Sequence, residues 1–204
     1  MKDNWHRSCG PGSIQIGSVE IAASSFVGYR LAMDTLRVIA SKREERDYSS
    51  RKIPDEALIT ILQAGRIAGS AKNTQHCRFT AISDSSPARG SLGKLVTRPS
   101  NLEGAAALIV VTTVDSSATS LFDAGRAVQN MMLAAWDLGI GTCPNTVTDP
   151  ERLVTLLKLP EGESPVTVLS LGYPSRRRDP GSRDFEAWIA GIDRAPFEAV
   201  IRRI

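Results

Sequence analysis

Between Ala105 and Val114 the chain reads AAALIVVTTV, ten residues without a charge and rich in β-branched side chains. A strand with one wet face alternates apolar and polar residues; this one does not. It predicts a strand buried on both faces. With 204 residues, 42% hydrophobic and 23% charged, the chain is long and apolar enough to close one domain around such a strand.

The flanking segments supply the helices. Asp34 precedes Leu36, Val38 and Ile39 and predicts an N-capped helix. Pro54, Asp55 and Glu56 suit a first helical turn, and Leu58, Ile61, Leu62 and Gly65 then share a face, with Gly69 as a stop. Cys77 to Ser83 predicts a short strand, and a helix is expected around Leu92 to Val96. Residues 119–138 predict a long central helix whose apolar stripe carries Leu121, Ala124, Val128, Met132, Ala135 and Trp136, ended by Gly139-Ile140-Gly141. Asp149-Pro150-Glu151 opens another helix through Leu157, and Val166 to Tyr173 is the last core strand. The basic turn from Pro174 to Ser182 is expected to be exposed, and Phe185 to Ile204 is too sparsely apolar to form core. The order reads α-α-β-α-β-α-β-α-β, one α+β domain over residues 33–204. Residues 1–32 lack periodicity and are expected to be a disordered N-terminal extension.

Several function classes drop out. No GxGxxG follows a strand, so the main dinucleotide fingerprint is absent. The cysteines Cys9, Cys77 and Cys143 have no zinc spacing and are read as reduced thiols in a cytoplasmic protein. No apolar run reaches the roughly 18 residues of a membrane span. The net charge of +3 is small. The cluster Arg176-Arg177-Arg178 with Arg183 lacks the interleaved aromatics of a nucleic-acid site, so neither membrane nor nucleic acid is an expected partner. His6 and His76 are the only histidines and form no nucleophile pair with a Ser or Cys; His76 is expected to cap its loop rather than act as a base.

Three polar stretches could carry chemistry. Lys42-Arg43-Glu44-Glu45-Arg46-Asp47-Tyr48 holds three cations within five residues, enough to grip a phosphate, although charge runs are commonly no more than solvated faces. The loop Gly69 to Phe79 offers Ser70, Asn73 and Gln75, donors and acceptors together, which a heteroaromatic ring edge needs and which ordinary turns use as well. In Gly139-Ile140-Gly141-Thr142-Cys143-Pro144 the glycines let backbone approach a flat ligand, or simply end a helix.

Taken in order, these stretches resemble the nitroreductase family. Its basic opening motif, R-R-S-x-R-x-F/Y, aligns with Lys42 to Tyr48; an I-P dipeptide with Ile53-Pro54; and the loop P-S-x-x-N-x-Q-P-W-x-F with Gly69 to Phe79. The central helix pattern finds Asp123, Gly125, Gln129, Asn130, Leu133, Ala135, Gly139 and Gly141 in its slots. Leu171-Gly172-Tyr173-Pro174 and Arg194-Ala195-Pro196-Phe197-Glu198 close the series.

The resemblance implies an α+β fold with a mostly antiparallel central sheet flanked by helices, in an intertwined homodimer holding FMN non-covalently at the interface. Lys42, Arg43, Glu44 and Arg46 would form the phosphate, ribityl and pyrimidine end. Ser70, Asn73 and Gln75 would meet the ring from one side, Gly141 and Thr142 would approach it near N5, and Arg194 would reach the phosphate. It implies hydride transfer from NAD(P)H through the flavin to a small flat acceptor, a nitroaromatic or quinone. A reductive dehalogenase, a flavin-cleaving enzyme and a non-catalytic flavin-binding protein are the alternatives on the same fold. Two departures stand out: Glu44 puts a carboxylate where the motif has Ser, and His76-Cys77 replaces Pro-Trp.

Overall fold

The computed structural model describes residues 34–204; the expectation for residues 1–32 lies outside them. The chain runs α1 (Thr35–Ser41), α2 (Asp55–Arg66), β1 (Cys77–Ser83), α3 (Ala88–Gly93), β2 (Ala107–Thr113), α4 (Ala118–Asp137), β3 (Gly141–Asn145), α5 (Pro150–Leu157), β4 (Ser164–Gly172), α6 (Phe185–Ala190) and α7 (Phe197–Val200).

The four strands form one sheet in the order β1-β2-β4-β3, and every neighbouring pair is antiparallel. All seven residues of β2 are buried. Alternate side chains serve different cores, because successive Cβ atoms point to opposite faces. Ile109 and Val111, with Leu169 and Leu171 of β4, meet Ile61 of α2 and Val128, Met131 and Ala135 of α4. Leu108 and Val110, with Val168 of β4, meet Leu92, Leu95 and Leu153 on the other side. An antiparallel sheet commonly leaves one face to water; this one is covered twice, which is why its central strand lacks alternation.

Local chemistry sets the helix ends. Asp34, Ser117, Asp149 and Asp184 each accept a backbone N–H in the first turn of the helix that follows. Gly139, at φ +74°, turns the chain out of α4 in the left-handed region. Two expectations are corrected. Leu121 is 46% exposed although it was assigned to the apolar stripe of α4; it lies in the first turn, short of the sheet. The expected helix at Leu92–Val96 instead spans Ala88–Gly93, and Leu95 and Val96 follow it into the core. The strand expected between α4 and α5 is Gly141–Asn145, paired along β4. No described helix is long and apolar enough to cross a membrane.

Candidate functional site

The basic stretch runs beside the outer edge of β3. Glu44 bridges Thr142 in parallel, the Glu45 N–H donates to the Thr142 carbonyl at 3.0 Å, and the Ser49 N–H donates to the Tyr173 carbonyl at 2.8 Å. Edge pairing therefore holds the main chain of residues 44–49 and fans its side chains out from one line. Lys42, nearly buried, sets its Nζ 2.5 Å from Oε1 of Glu44. Arg43 donates through Nη1 to the carbonyls of Ala40 and Lys42, both at 2.8 Å. Its guanidinium also stands 5.2 Å from the ring centre of Trp188 on α6, a ring that Arg183 approaches to 5.1 Å. Arg46 is exposed and lies close enough to oppose the rise that burial imposes on the Cys143 thiol pKa.

Beneath this line, Glu45 is only 4% exposed and is gripped by Arg178 through Nε to Oε1 at 2.6 Å and Nη2 to Oε2 at 3.1 Å. The basic turn, exposed from Ser175 to Asp179 as expected, also sends one arginine onto a buried carboxylate. A Cβ on Gly141 would stand 2.5 Å from both Cβ and Cγ of Glu45, so Gly141 makes room for that side chain. The Thr142 hydroxyl is buried without a hydrogen-bond partner. Tyr48 closes the far end, donating to the Glu45 carbonyl at 2.6 Å and lying 3.0 Å from the Ser170 hydroxyl; burial pushes its phenol well above the ordinary range.

The second stretch is a strained turn. Lys72, Asn73 and Gln75 have φ of 51°, 56° and 53°. Such backbone costs roughly 1–3 kcal/mol per residue unless its surroundings hold it. Here the Ala71 N–H donates to Oδ2 of buried Asp123 at 2.8 Å, and the Gln75 N–H donates to the Ser70 hydroxyl at 2.9 Å. Asp123 is also paired with Arg126 at 3.2 Å. His76 sets Nε2 2.5 Å from the Thr74 hydroxyl and Nδ1 3.5 Å from Oδ2 of Asp115, so it ties the loop to the end of β2. Hydrogen bonds from Ser117, then Ser120, with help from His76, hold the Asp115 carboxyl at about 2. A cavity of about 220 Å³ opens beside this loop, lined in part by Gly65, Ser70, His76, Phe79 and Asp123.

The two stretches do not meet within one chain. β1 begins at Cys77, in register with Thr113, which lies opposite Ser164 of β4; β3 begins at Gly141, opposite Gly172 at the other end of β4. They occupy diagonal corners of the sheet. Helix α4 measures the gap: Asp123 holds Ala71 near its start, and Trp136 Nε1 donates to the Ser41 hydroxyl at 3.0 Å near its end. These anchors are about 20 Å apart at ~1.5 Å per helical residue. Lys42, Arg43, Glu44, Arg46, Gly141 and Thr142 thus gather at one corner, and Ser70, Asn73 and Gln75 at the other. Arg194 joins neither: it is exposed beyond α6 and donates to the carbonyl of Asp193 at 2.7 Å.

Sequence reasoning missed Glu45, Arg178 and the task of Asp123. Asp123 occupied a slot of the helix pattern and could have been singled out as the one carboxylate on that stripe. Glu45 and Arg178 carried no signal, each lying in a run of charges.

The fold and these corners can be set beside known proteins. The sequence model of the nitroreductase family matches residues 39–98 and 88–173. An Archaeoglobus fulgidus protein, provisionally named an NADH dehydrogenase/NAD(P)H nitroreductase, is 33% identical over 155 residues, which are 72% of this chain and 88% of that one. The NADPH-flavin oxidoreductase of Vibrio harveyi is 27% identical across 70% of this chain and 67% of its own. A provisionally named nitroreductase of Desulfovibrio desulfuricans, solved in complex with FMN, superposes with a TM-score of 0.69 at 28% identity, over 84% of this chain and 97% of that one. The matched segments run from the end of α1 to the end of β4 and take in the whole sheet and both corners: the chain belongs to the nitroreductase family.

Proposed function

We propose that this protein is an NAD(P)H-dependent oxidoreductase that works with non-covalently held FMN, reduces a small flat acceptor such as a nitroaromatic or quinone, and acts as an intertwined homodimer of its 33–204 domain. One observation carries the reading: two chemically complementary half-sites are anchored about 20 Å apart along α4 at diagonal corners of the sheet, so a partner must supply the second half. Exposed Leu36 and Ile39 of α1, Ile59 of α2, Phe122 of α4 and Phe197 near the C-terminus leave apolar surface for that partner. The names of the Archaeoglobus and Vibrio relatives, and the FMN in the Desulfovibrio structure, support the cofactor pair.

The donors suit FMN. Lys42, Arg43 and Arg46 present the charge a phosphate requires, and the Thr142 hydroxyl is a buried group that still needs a partner. Ser70, Asn73 and Gln75 offer the mixed donors and acceptors of a ring edge, on backbone fixed by Asp123. When bound, FMN supplies hydride transfer between nicotinamide and acceptor. The chain itself binds, orients and screens: Arg43 and Arg46 anchor the phosphate, Thr142 and the Ser70 loop orient the ring, and the C-terminal segment carries Arg194 toward the phosphate. A cytoplasmic setting fits the free thiols of Cys77 and Cys143.

Heating or acidifying the purified protein should release a yellow compound with the mass of FMN, and the holoprotein should oxidise NAD(P)H when a nitroaromatic is supplied. A colourless protein that takes up no FMN would overturn the reading. Holoprotein that leaves nitroaromatics and quinones untouched would overturn the acceptor.

A further inference from the structure

We propose that Glu44 is a resident anion on Lys42, and that it relaxes the preference of this site for a phosphorylated flavin, so that riboflavin is accepted nearly as well as FMN. The inference rests on the flavin reading above and deepens it.

The Lys42 side chain is 9% exposed, and an ammonium so enclosed needs a counter-charge. The chain supplies one itself, two residues away and 2.5 Å from Nζ. The Glu44 side chain is 38% exposed, and what holds it over Lys42 is this ion pair on a fixed backbone. Its main chain bridges Thr142, and the next residue donates to the Thr142 carbonyl at 3.0 Å. A phosphate reaching Lys42 must expel the carboxylate or settle beside it, and either course subtracts from what the phosphate contributes to binding. Arg43 is already engaged by two carbonyls and the Trp188 ring, so it does not restore the loss at no cost. The ring half-site around Ser70 is anchored through Asp123 at the opposite corner of the sheet, beyond the reach of Glu44. Glu44 therefore acts on the phosphate-dependent part of flavin affinity and spares the rest.

The ratio of riboflavin Kd to FMN Kd isolates that part. It can be measured by quenching of flavin fluorescence on the full-length protein stripped of cofactor. Wild type should favour FMN by less than about tenfold, short of what two free charge-assisted contacts would give. Glu44→Gln, which keeps size and removes charge, should raise the ratio about tenfold while riboflavin Kd stays within about twofold. Glu44→Ser should move it the same way. A ratio that is unchanged or lower in both variants overturns the inference, and so does a wild type that already favours FMN by more than about a hundredfold. If no form binds either flavin, the functional reading itself is overturned, and the inference with it.

Discussion

Asp123, buried near the start of α4, accepts the backbone N–H of Ala71 at 2.8 Å and so holds a turn in which Lys72, Asn73 and Gln75 all have positive φ. Removing the acceptor leaves the part-buried Ala71 N–H unmet and the Arg126 guanidinium without its partner. Asp123→Ala should cost about 1–3 kcal/mol, read from the denaturant midpoint. Asp123→Asn, which keeps an acceptor in reach, should cost less. Flavin affinity should fall in the order wild type, Asn, Ala, because strained backbone relaxes when its support is cut. Equal affinities across the three would separate the turn from the cofactor.

Arg43 and Arg46 differ in what else they hold. Arg46→Ala should shift stability by no more than ~0.5 kcal/mol, since the side chain is exposed. Arg43→Ala also loses the stack on Trp188, worth roughly 0.5–1 kcal/mol, and should lower the melting temperature slightly. Each should weaken FMN severalfold, within the less than about tenfold that the phosphate adds in wild type, in a titration of protein stripped of cofactor. Unchanged FMN affinity in both variants would defeat the assignment of this corner to the phosphate.

Gly141 and Glu45 form a steric pair. Gly141→Ala brings a methyl to 2.5 Å from two carbons of Glu45 and should destabilise by about 1–3 kcal/mol. Shortening the neighbour removes the clash but leaves Arg178 facing no carboxylate. The Glu45→Ala, Gly141→Ala double variant should therefore lose less than the sum of the single losses. Strict additivity in chemical denaturation would mean that the contact carries no strain.

Asp115 makes an acid-side prediction. Its folded pKa, about 2, lies below the ordinary value of 3.8. Its contribution to stability is complete above the ordinary value and is lost as pH falls from there toward 2. Asp115→Asn removes that contribution, so the melting temperatures of wild type and variant should converge as pH drops through this window. A gap that stays constant down to pH 2 would mean the carboxylate is not what Ser117 and His76 hold.

A homodimer that buries the exposed apolar residues of α1, α2 and α4 should cover more than ~2,000 Å². Sedimentation at micromolar concentration should find one species of twice the chain mass, and dilution that releases monomer should release FMN with it. A stable monomer loaded with flavin would sink the two-corner account of the site.

Some of this was legible in the amino-acid order because the forces that make it are local. The run through β2 reads as doubly buried because each residue in it is apolar or small, whichever face it joins. The stripe on α4 and the helix openers Asp34 and Asp149 follow from helical spacing and first-turn hydrogen bonds. Three cations within five residues concentrate positive charge without reference to any neighbour. Tertiary structure decided what depends on residues far apart in the chain. Gly-Thr-Cys-Pro-Asn becomes β3 because β4, more than twenty residues on, pairs with it, not because its own pattern asks for a strand. Glu45 becomes a buried anchor only when Arg178 folds over it. The basic stretch and the Ser70 loop, under thirty residues apart in sequence, are driven to opposite corners because β1 and β3 take opposite edges of the sheet. Periodicity says which face of an element is apolar; only pairing between distant strands says which elements become neighbours, and that is set by the packing of the whole core.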